Sequence, residues 1–97
     1  MERSGYPLMP QPVVYILYSK SLDKYYVGST IDFERRFHEH THYTKHFTAM
    51  ARDWEAVFVE PCEMLAIARR KEYWLKRQKS RQLIMRIVQE QRCEKPF

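Results

Sequence analysis

The sequence predicts a small α/β (α+β) domain, a three-stranded antiparallel β-sheet flanked by helices in the order β-β-α-β-α-α. Segments 13–19 and 24–29 are rich in β-forming residues and are separated by a short polar turn, which is typical of a hairpin. Segment 54–60 has a similar composition, whereas 63–78 and the segment after Ser80 carry apolar residues at helical spacing. Helices must cover a sheet of this size to build a core.

The hairpin consists of VVYILYS at 13–19 and KYYVGS at 24–29, with SLDK at 21–24 as the turn. Glycine is scarce in this chain, with 2 residues, so Gly28 in the second strand is expected to serve a backbone purpose. One such purpose is the close approach of another group to the backbone.

A helix is predicted directly after the hairpin. Thr30 or Asp32 can cap its first turn, and the helical pattern runs to about His40. Phe33 and Phe37 are four residues apart, so they would form its buried edge.

The segment from 40 to 53 has no clean period and is predicted to be a loop with a helical turn. The strand at 54–60 follows. Alternation predicts that Trp54, Ala56 and Phe58 lie on one side of this strand, and that Val57 and Val59 lie on the other.

The 97 residues predict one domain at 13–92, preceded by a flexible Pro-rich arm at 1–12 and followed by a tail at 93–97. The net charge of +5 and the isoelectric point of about 9.4 favour a polyanionic partner such as nucleic acid. A chain of this length is expected to lack a second DNA-reading domain.

The composition also predicts a compartment. The two cysteines, Cys62 and Cys93, are far apart and form no CxxC motif, which favours a reducing cytoplasmic environment. The apolar run at 13–18 has the length of a strand, so no membrane association is expected.

A carboxylate interrupts the apolar face of the long helix at 63–78. Leu65, Ala68 and Leu75 lie on that face together with Glu72, at spacings of three and four. Glu72 could tilt to the surface and pair with Lys76 at i+4. Alternatively, it could face a groove and bind a cation, since an unpaired carboxylate beside apolar residues is unfavourable.

The same helix and the residues after it are strongly basic, which is consistent with a solvated face or with a surface that follows a phosphate backbone. A single carboxylate within such a basic field suits metal-assisted phosphodiester chemistry. These basic residues are Arg69, Arg70, Lys71, Lys76, Arg77, Lys79 and Arg81.

Several short motifs together resemble the GIY-YIG nuclease family. Val14-Tyr15-Ile16 and Tyr26-Val27-Gly28 look like the two halves of its motif, and ERRFHEH at 34–40 with a later helical glutamate completes the similarity. The resemblance extends from about Val13 to Val88 and is strongest to short stand-alone members.

The resemblance implies a DNA endonuclease with one divalent cation, Mg²⁺ or Mn²⁺, bound by Glu72. Tyr15 and Tyr26 would match the motif tyrosines, and Arg36 the helix arginine, which would clamp a phosphate oxygen. We expect Tyr26 to be the general base, adjusted by a hydrogen bond from Tyr15. His40, four residues after Arg36, could be a substitute base or a phosphate donor.

Further residues near these motifs are expected to bind substrate. Gly28 would allow the substrate to approach, and Ser29 and Thr30 could donate to phosphate, although capping of the helix explains them equally well. The basic side chains expected to contact substrate are Arg35, Arg69 and Lys76.

The chain departs from the family pattern at three positions. Val14 replaces the first motif glycine, Ser29 stands where repair nucleases carry lysine, and Ile84 stands where several members have asparagine. The absent lysine and asparagine favour one alternative to a nuclease, a nucleic-acid-binding module with weak or no catalysis. A third interpretation is a basic domain that binds a protein.

Other aromatic and histidine residues allow weaker interpretations. His38, His42 and His46 invite a zinc site, but no cysteine lies nearby. Trp54 and Trp74 are expected in the core or in a groove wall. We expect a monomer or weak homodimer, in which a protein partner or DNA structure supplies specificity for a role in repair or recombination.

Overall fold

The computed structural model describes residues 10–42 and 50–93, and its order of elements confirms the predicted β-β-α-β-α-α domain. The strands pair antiparallel in the order β2-β1-β3, so β2 and β3 are the two edges. Among the described residues, no helix is long and apolar enough to cross a membrane. The elements are β1 (Val13–Ser19), β2 (Lys24–Thr30), α1 (Phe33–His42), β3 (Trp54–Pro61), α2 (Leu65–Gln78) and α3 (Arg81–Glu90).

The central strand β1 divides the core into two layers, because its side chains alternate between the faces of the sheet. Val14 and Ile16 pack against α2 and α3, together with Ala68, Leu75 and Ile87. On the opposite face, the neighbouring residues of β1 pack with Trp54 and the helix α1. This second layer contains Val13, Tyr15, Leu17, Phe33 and Phe37.

The strand β3 contains a bulge that the sequence did not reveal. Phe58 pairs with Ile16, but Ala56 pairs with Leu17, so Val57 is the extra residue. A bulge reverses the alternation of side chains. The prediction that Trp54 and Phe58 share a side is therefore wrong: Phe58 packs in the layer beneath α2, and Trp54 in the layer with α1.

Side-chain caps explain where two helices begin. Asp32 caps α1, because its Oδ1 accepts from the Arg35 backbone N–H at 3.3 Å. Ser80 caps α3 as predicted, accepting from the Leu83 backbone N–H at 3.0 Å. Met64 gives α2 no side-chain cap, and α2 begins at Leu65 rather than near Glu63.

The boundaries of the remaining segments agree with the sequence patterns to within two residues. The helix α1 runs to His42 instead of ending near His40. Residues 43–49 of the predicted loop, including His46, lie outside the described part of the chain. The same holds for 1–9 of the predicted arm and 94–97 of the predicted tail, whereas Cys93 is buried in the core.

The end of the hairpin is tied to the start of α3. Asp23 adopts a left-handed conformation with φ 54° and accepts from Tyr18 Oη at 2.7 Å. Arg81 then donates to the Asp23 carboxylate at 2.6 Å and to its backbone carbonyl at 2.9 Å. This contact holds the hairpin beside the junction of α2 and α3.

Gly28 is required by a close contact within the sheet. It pairs with Tyr15, and a Cβ added at Gly28 would lie 2.4 Å from Tyr15 Oη and 2.5 Å from Cζ. Those distances are far below van der Waals contact, and the Tyr15 ring is packed too closely to withdraw because only 1% of its surface is exposed. The absence of a side chain at Gly28 therefore creates the space that the Tyr15 ring occupies.

We expect Gly28→Ala to destabilise the fold by about 1–3 kcal/mol, the usual range for overpacking a core. Tyr15→Leu removes the atoms that the new Cβ would meet. The double variant should therefore be less destabilised than the sum of the two single variants, which chemical denaturation can measure. Additive effects would contradict the proposed contact.

Candidate active site

The deepest part of the site is a pair formed by Tyr15 and His40. Tyr15 Oη lies 2.8 Å from His40 Nε2, and the two residues are 1% and 2% exposed. The hairpin supplies the tyrosine and the last part of α1 supplies the histidine, with the Phe33 ring packed edge-on against Tyr15 at 5.3 Å. Neither polar group faces solvent, so this pair can position other groups rather than contact a substrate directly.

Tyr26 lies on the same face of the sheet, nearer to its edge. Its ring centroid is 4.8 Å from that of His40 and 6.4 Å from that of Tyr15. Tyr26 is half-buried, so solvent reaches it while the two neighbouring residues are covered. A hydrogen bond from Tyr15 to Tyr26 was predicted, but the Tyr15 hydroxyl is hydrogen-bonded to His40.

Arg36 brings positive charge to both phenols. Its guanidinium donates to Glu39 Oε1 at 2.8 Å and interacts with Tyr15 and Tyr26. Burial alone would lower the pKa of Arg36, but the interactions with Glu39 and the two tyrosines raise it overall. The side chain is 33% exposed, so a charged and solvent-accessible arginine borders the tyrosines.

Glu72 approaches the same place from the other face of the sheet. Its Oε1 accepts from Ser29 Oγ at 2.5 Å, and its Oε2 accepts from Lys76 Nζ at 2.6 Å. Ser29 pairs with Val14, which packs beneath α2, so Ser29 and Glu72 belong to that side. The contact with Lys76 that the i+4 spacing suggested is therefore present, and Glu72 also faces the strand β2 through Ser29.

Lys76 connects the two halves of the site around the free edge of β2. Its ammonium group contacts Glu72 and also lies 5.6 Å from the centre of the Tyr26 ring. The structure therefore brings together seven of the predicted site residues at this edge: Tyr15, Tyr26, Ser29, Arg36, His40, Glu72 and Lys76.

The remaining predicted site residues have other surroundings. Gly28 lies beneath the Tyr15 ring, and Thr30 Oγ1 accepts from the Asp32 backbone N–H at 3.1 Å, which supports the start of α1. Arg35 is 67% exposed and lies 3.5 Å from Glu39. Arg69 is exposed on α2, one turn before Glu72.

Sequence reasoning missed Glu39 as part of the site. This carboxylate contacts Arg36 at 2.8 Å and Arg35 at 3.5 Å. The pKa of Glu39 is lowered, and the hydrogen bond from Arg36 is the largest cause. The sequence ERRFHE contained a signal for these contacts. Glu39 follows Arg36 by three residues and Arg35 by four, and side chains at those spacings meet on a helix. Glu39 therefore holds the Arg36 guanidinium in place beside the two tyrosines.

Glu72 is the residue in this cluster that could bind a metal ion. Within residues 10–42 and 50–93, no group of three or more histidine, cysteine, aspartate or glutamate residues could hold one. A single carboxylate still suits Mg²⁺ or Mn²⁺, which keep most of their coordination shell for water and phosphate oxygens. Its side chain is 22% exposed and therefore reachable, although Ser29 and Lys76 now occupy its two oxygens.

Comparison with known proteins assigns the family. The model of the GIY-YIG catalytic domain matches residues 11–86 of the 97-residue chain. The chain belongs to the GIY-YIG family. Searches of curated proteins and of solved structures gave no significant match.

Membership of the GIY-YIG family establishes a nuclease-type catalytic domain, for which nucleic acid is the substrate. Members of the family generally use divalent metal ions. Of the departures from the family pattern, Val14 is fully buried in the core, and Ser29 donates to Glu72. Ile84 lies on α3 and faces the groove between β2 and that helix.

The burial of Tyr15 predicts a specific dependence of stability on pH. Burial, and then the neighbouring Tyr26, raise the pKa of the Tyr15 phenol well above its usual value. Since the unfolded chain ionises this phenol near pH 10, its contribution to stability is present below that pH and is lost above it.

We therefore expect Tyr15→Phe to be less stable than the unmodified protein by about 1 kcal/mol at pH 8. The stability of the unmodified protein should fall relative to Tyr15→Phe by up to about 1.4 kcal/mol per pH unit above roughly pH 10, so the difference vanishes and then reverses at about pH 11. Urea denaturation from pH 8 to about pH 11 measures this change. A difference that stays constant over the range would show that the phenol is not held protonated.

Proposed function

We propose that this GIY-YIG domain is a divalent-metal-dependent endonuclease that hydrolyses DNA phosphodiester bonds. The observation that carries the proposal is the meeting of Tyr26, Arg36 and Glu72 around the free edge of β2. A base, a phosphate clamp and a metal-binding carboxylate are the groups that this hydrolysis needs. All three are at least partly accessible to solvent.

Tyr26 is the proposed general base. As a phenolate it would take a proton from the attacking water onto its Oη, and it contacts two cationic side chains, Arg36 and Lys76. Tyr15 and His40 are buried behind it, so they serve as positioning residues that fix its ring. This arrangement supports Tyr26 over His40 as the group that meets the water.

Arg36 is the proposed clamp on a non-bridging phosphate oxygen. Its planar guanidinium can donate two parallel hydrogen bonds, which an ammonium group cannot do. Glu39 occupies it in the free protein, but an ion pair this close to the surface is weak. A phosphate can therefore replace the carboxylate without a large loss of stability.

Glu72 is the proposed ligand of one Mg²⁺ or Mn²⁺ ion. When bound, the ion would stabilise negative charge on the phosphate and on the leaving oxygen. Lys76 must move off Glu72 to make room, and its ammonium group can then contact a neighbouring phosphate of the substrate. Ser29 can keep its hydrogen bond to the other carboxylate oxygen and hold the side chain in place.

A second candidate function follows from the same contacts. Both oxygens of Glu72 are occupied, by Ser29 and by Lys76, and this supports a nucleic-acid-binding module without efficient catalysis. For either function, we propose that a small basic domain recognises the structure of its DNA, or gains specificity from a partner or a second copy, in repair or recombination.

Cleavage assays distinguish the two candidates. With supercoiled plasmid and branched DNA, we expect cutting with Mn²⁺ or Mg²⁺ and none with EDTA. Glu72→Gln should lower the rate at least about 100-fold, because the metal would lose its carboxylate. Glu63→Gln is the matched control, since it removes an exposed carboxylate outside the site. Salt-sensitive binding without cutting on any substrate would favour the binding module.

The contact between Lys76 and Glu72 predicts a change in metal affinity. Lys76→Met removes the ammonium group that competes for Oε2, so Mn²⁺ should bind about tenfold more tightly. Titration of free Mn²⁺ by electron paramagnetic resonance measures this without any substrate.

Lys20→Met, in the exposed hairpin turn, is the control that removes the same charge away from Glu72. Equal Mn²⁺ affinities for Lys76→Met and Lys20→Met would show that Lys76 does not compete with the metal. Loss of binding in Glu72→Gln locates the ion at this carboxylate.

A further inference from the structure

A groove lies beside the proposed active site, between the free edge of β2 and the junction of α2 and α3. Its volume is about 450 Å³, within the range that holds small organic groups. The apolar side chains Val27, Leu75 and Ile84 line it, together with the rings of Tyr25 and Tyr26. This surface is suited to a flat apolar group rather than to a phosphate.

The cations at this groove are suited to phosphates. Lys24, Lys76, Lys79 and Arg81 line it, and within the described part of the chain no carboxylate is among its lining residues. Lys76 and Arg81 each pair with a carboxylate just outside the groove: Glu72 for the lysine and Asp23 for the arginine. The groove therefore combines an apolar interior with a net positive border.

Lys79 lies at the groove although its backbone conformation is unfavourable for a lysine. It is the residue after α2 and has φ 48°, a left-handed conformation that glycine adopts far more readily than lysine. Its ammonium group forms no hydrogen bond or ion pair with the described residues. Its side chain thus contributes no polar contact to the fold, and its charge remains available to a ligand at the groove.

Arg81 and Tyr25 form a stacked surface in the same groove. The guanidinium lies 5.1 Å from the centre of the Tyr25 ring, and the hydrogen bonds to Asp23 hold it there. The Tyr18 ring also packs against Tyr25, with the ring centroids 4.7 Å apart. Fixed tyrosine and arginine planes are the surfaces on which unpaired bases stack in proteins that bind single strands.

We propose that this groove holds an unpaired nucleotide of the DNA strand that is to be cut. Tyr26 and Lys76 border both the groove and the catalytic cluster, so a strand whose phosphate lies at Arg36 can continue into the groove. Bases inside a duplex are stacked and cannot enter it. The inference rests on the proposed nuclease function, and it narrows the substrate class to DNA with a single-stranded segment beside the scissile bond.

Binding measured in EDTA tests this assignment without cleavage. Fluorescence anisotropy compares a blunt DNA duplex with the same duplex carrying a short single-stranded overhang. A longer blunt duplex with the same number of phosphates controls for charge. We expect the overhang DNA to bind more tightly than both blunt duplexes, and 2-aminopurine at the first unpaired position to change its fluorescence on binding.

Lys79→Gly is the decisive variant. It removes the cation, and it places at this position the residue that most readily adopts a left-handed conformation. The thermal midpoint should stay the same or rise, whereas affinity for the overhang DNA should fall about three- to tenfold. Affinity for the blunt duplexes should change much less. Arg86→Ala is the matched control, since it removes one exposed charge on α3 outside the groove.

Two results would overturn the proposal: equal binding of overhang and charge-matched blunt DNA, or an effect of Lys79→Gly no larger than that of Arg86→Ala. Either result would show that the groove does not bind an unpaired nucleotide and would favour another ligand, such as an acidic peptide. Since no cleavage is measured, failure of the nuclease assay and failure of this binding preference are separate results.

Discussion

The contact between the Tyr15 ring and the backbone of Gly28 is the constraint on which the candidate site depends. The ring fills the space above Gly28, which places the phenol against His40 and leaves Tyr26 nearer to the sheet edge. A side chain at position 28 would displace the ring from the centre of the layer beneath α1. The packing of the sheet and the arrangement of the polar groups therefore both depend on the contact between Tyr15 and Gly28.

The charges of the site balance one another in the free protein. Arg36 pairs with Glu39, and Lys76 pairs with Glu72, so these two cations at the proposed cleavage site already have carboxylate partners. Such solvent-accessible pairs contribute little stability, and their cations can exchange the carboxylate for another anion. A polyanionic substrate and a divalent ion can therefore replace these contacts with only a small loss of folding free energy.

The candidate site and the groove both lie at the sheet edge formed by β2. Residues on the two faces of the sheet can meet only where no further strand intervenes, and the groove opens along the same edge. Edge strands usually require protection from pairing with other chains. Here Lys24 at the start of the strand and the basic residues of α2 and α3 surround that edge with positive charge.

The sequence by itself determined the order of elements, because hairpin composition, caps at Asp32 and Ser80, and helical periodicity are local signals. The family motifs also selected Tyr26, Arg36 and Glu72. Only the tertiary structure decided the bulge in β3, the burial of His40 and the contact of Lys76 with Tyr26. Those features depend on strand register and on packing between distant segments, which local patterns do not encode.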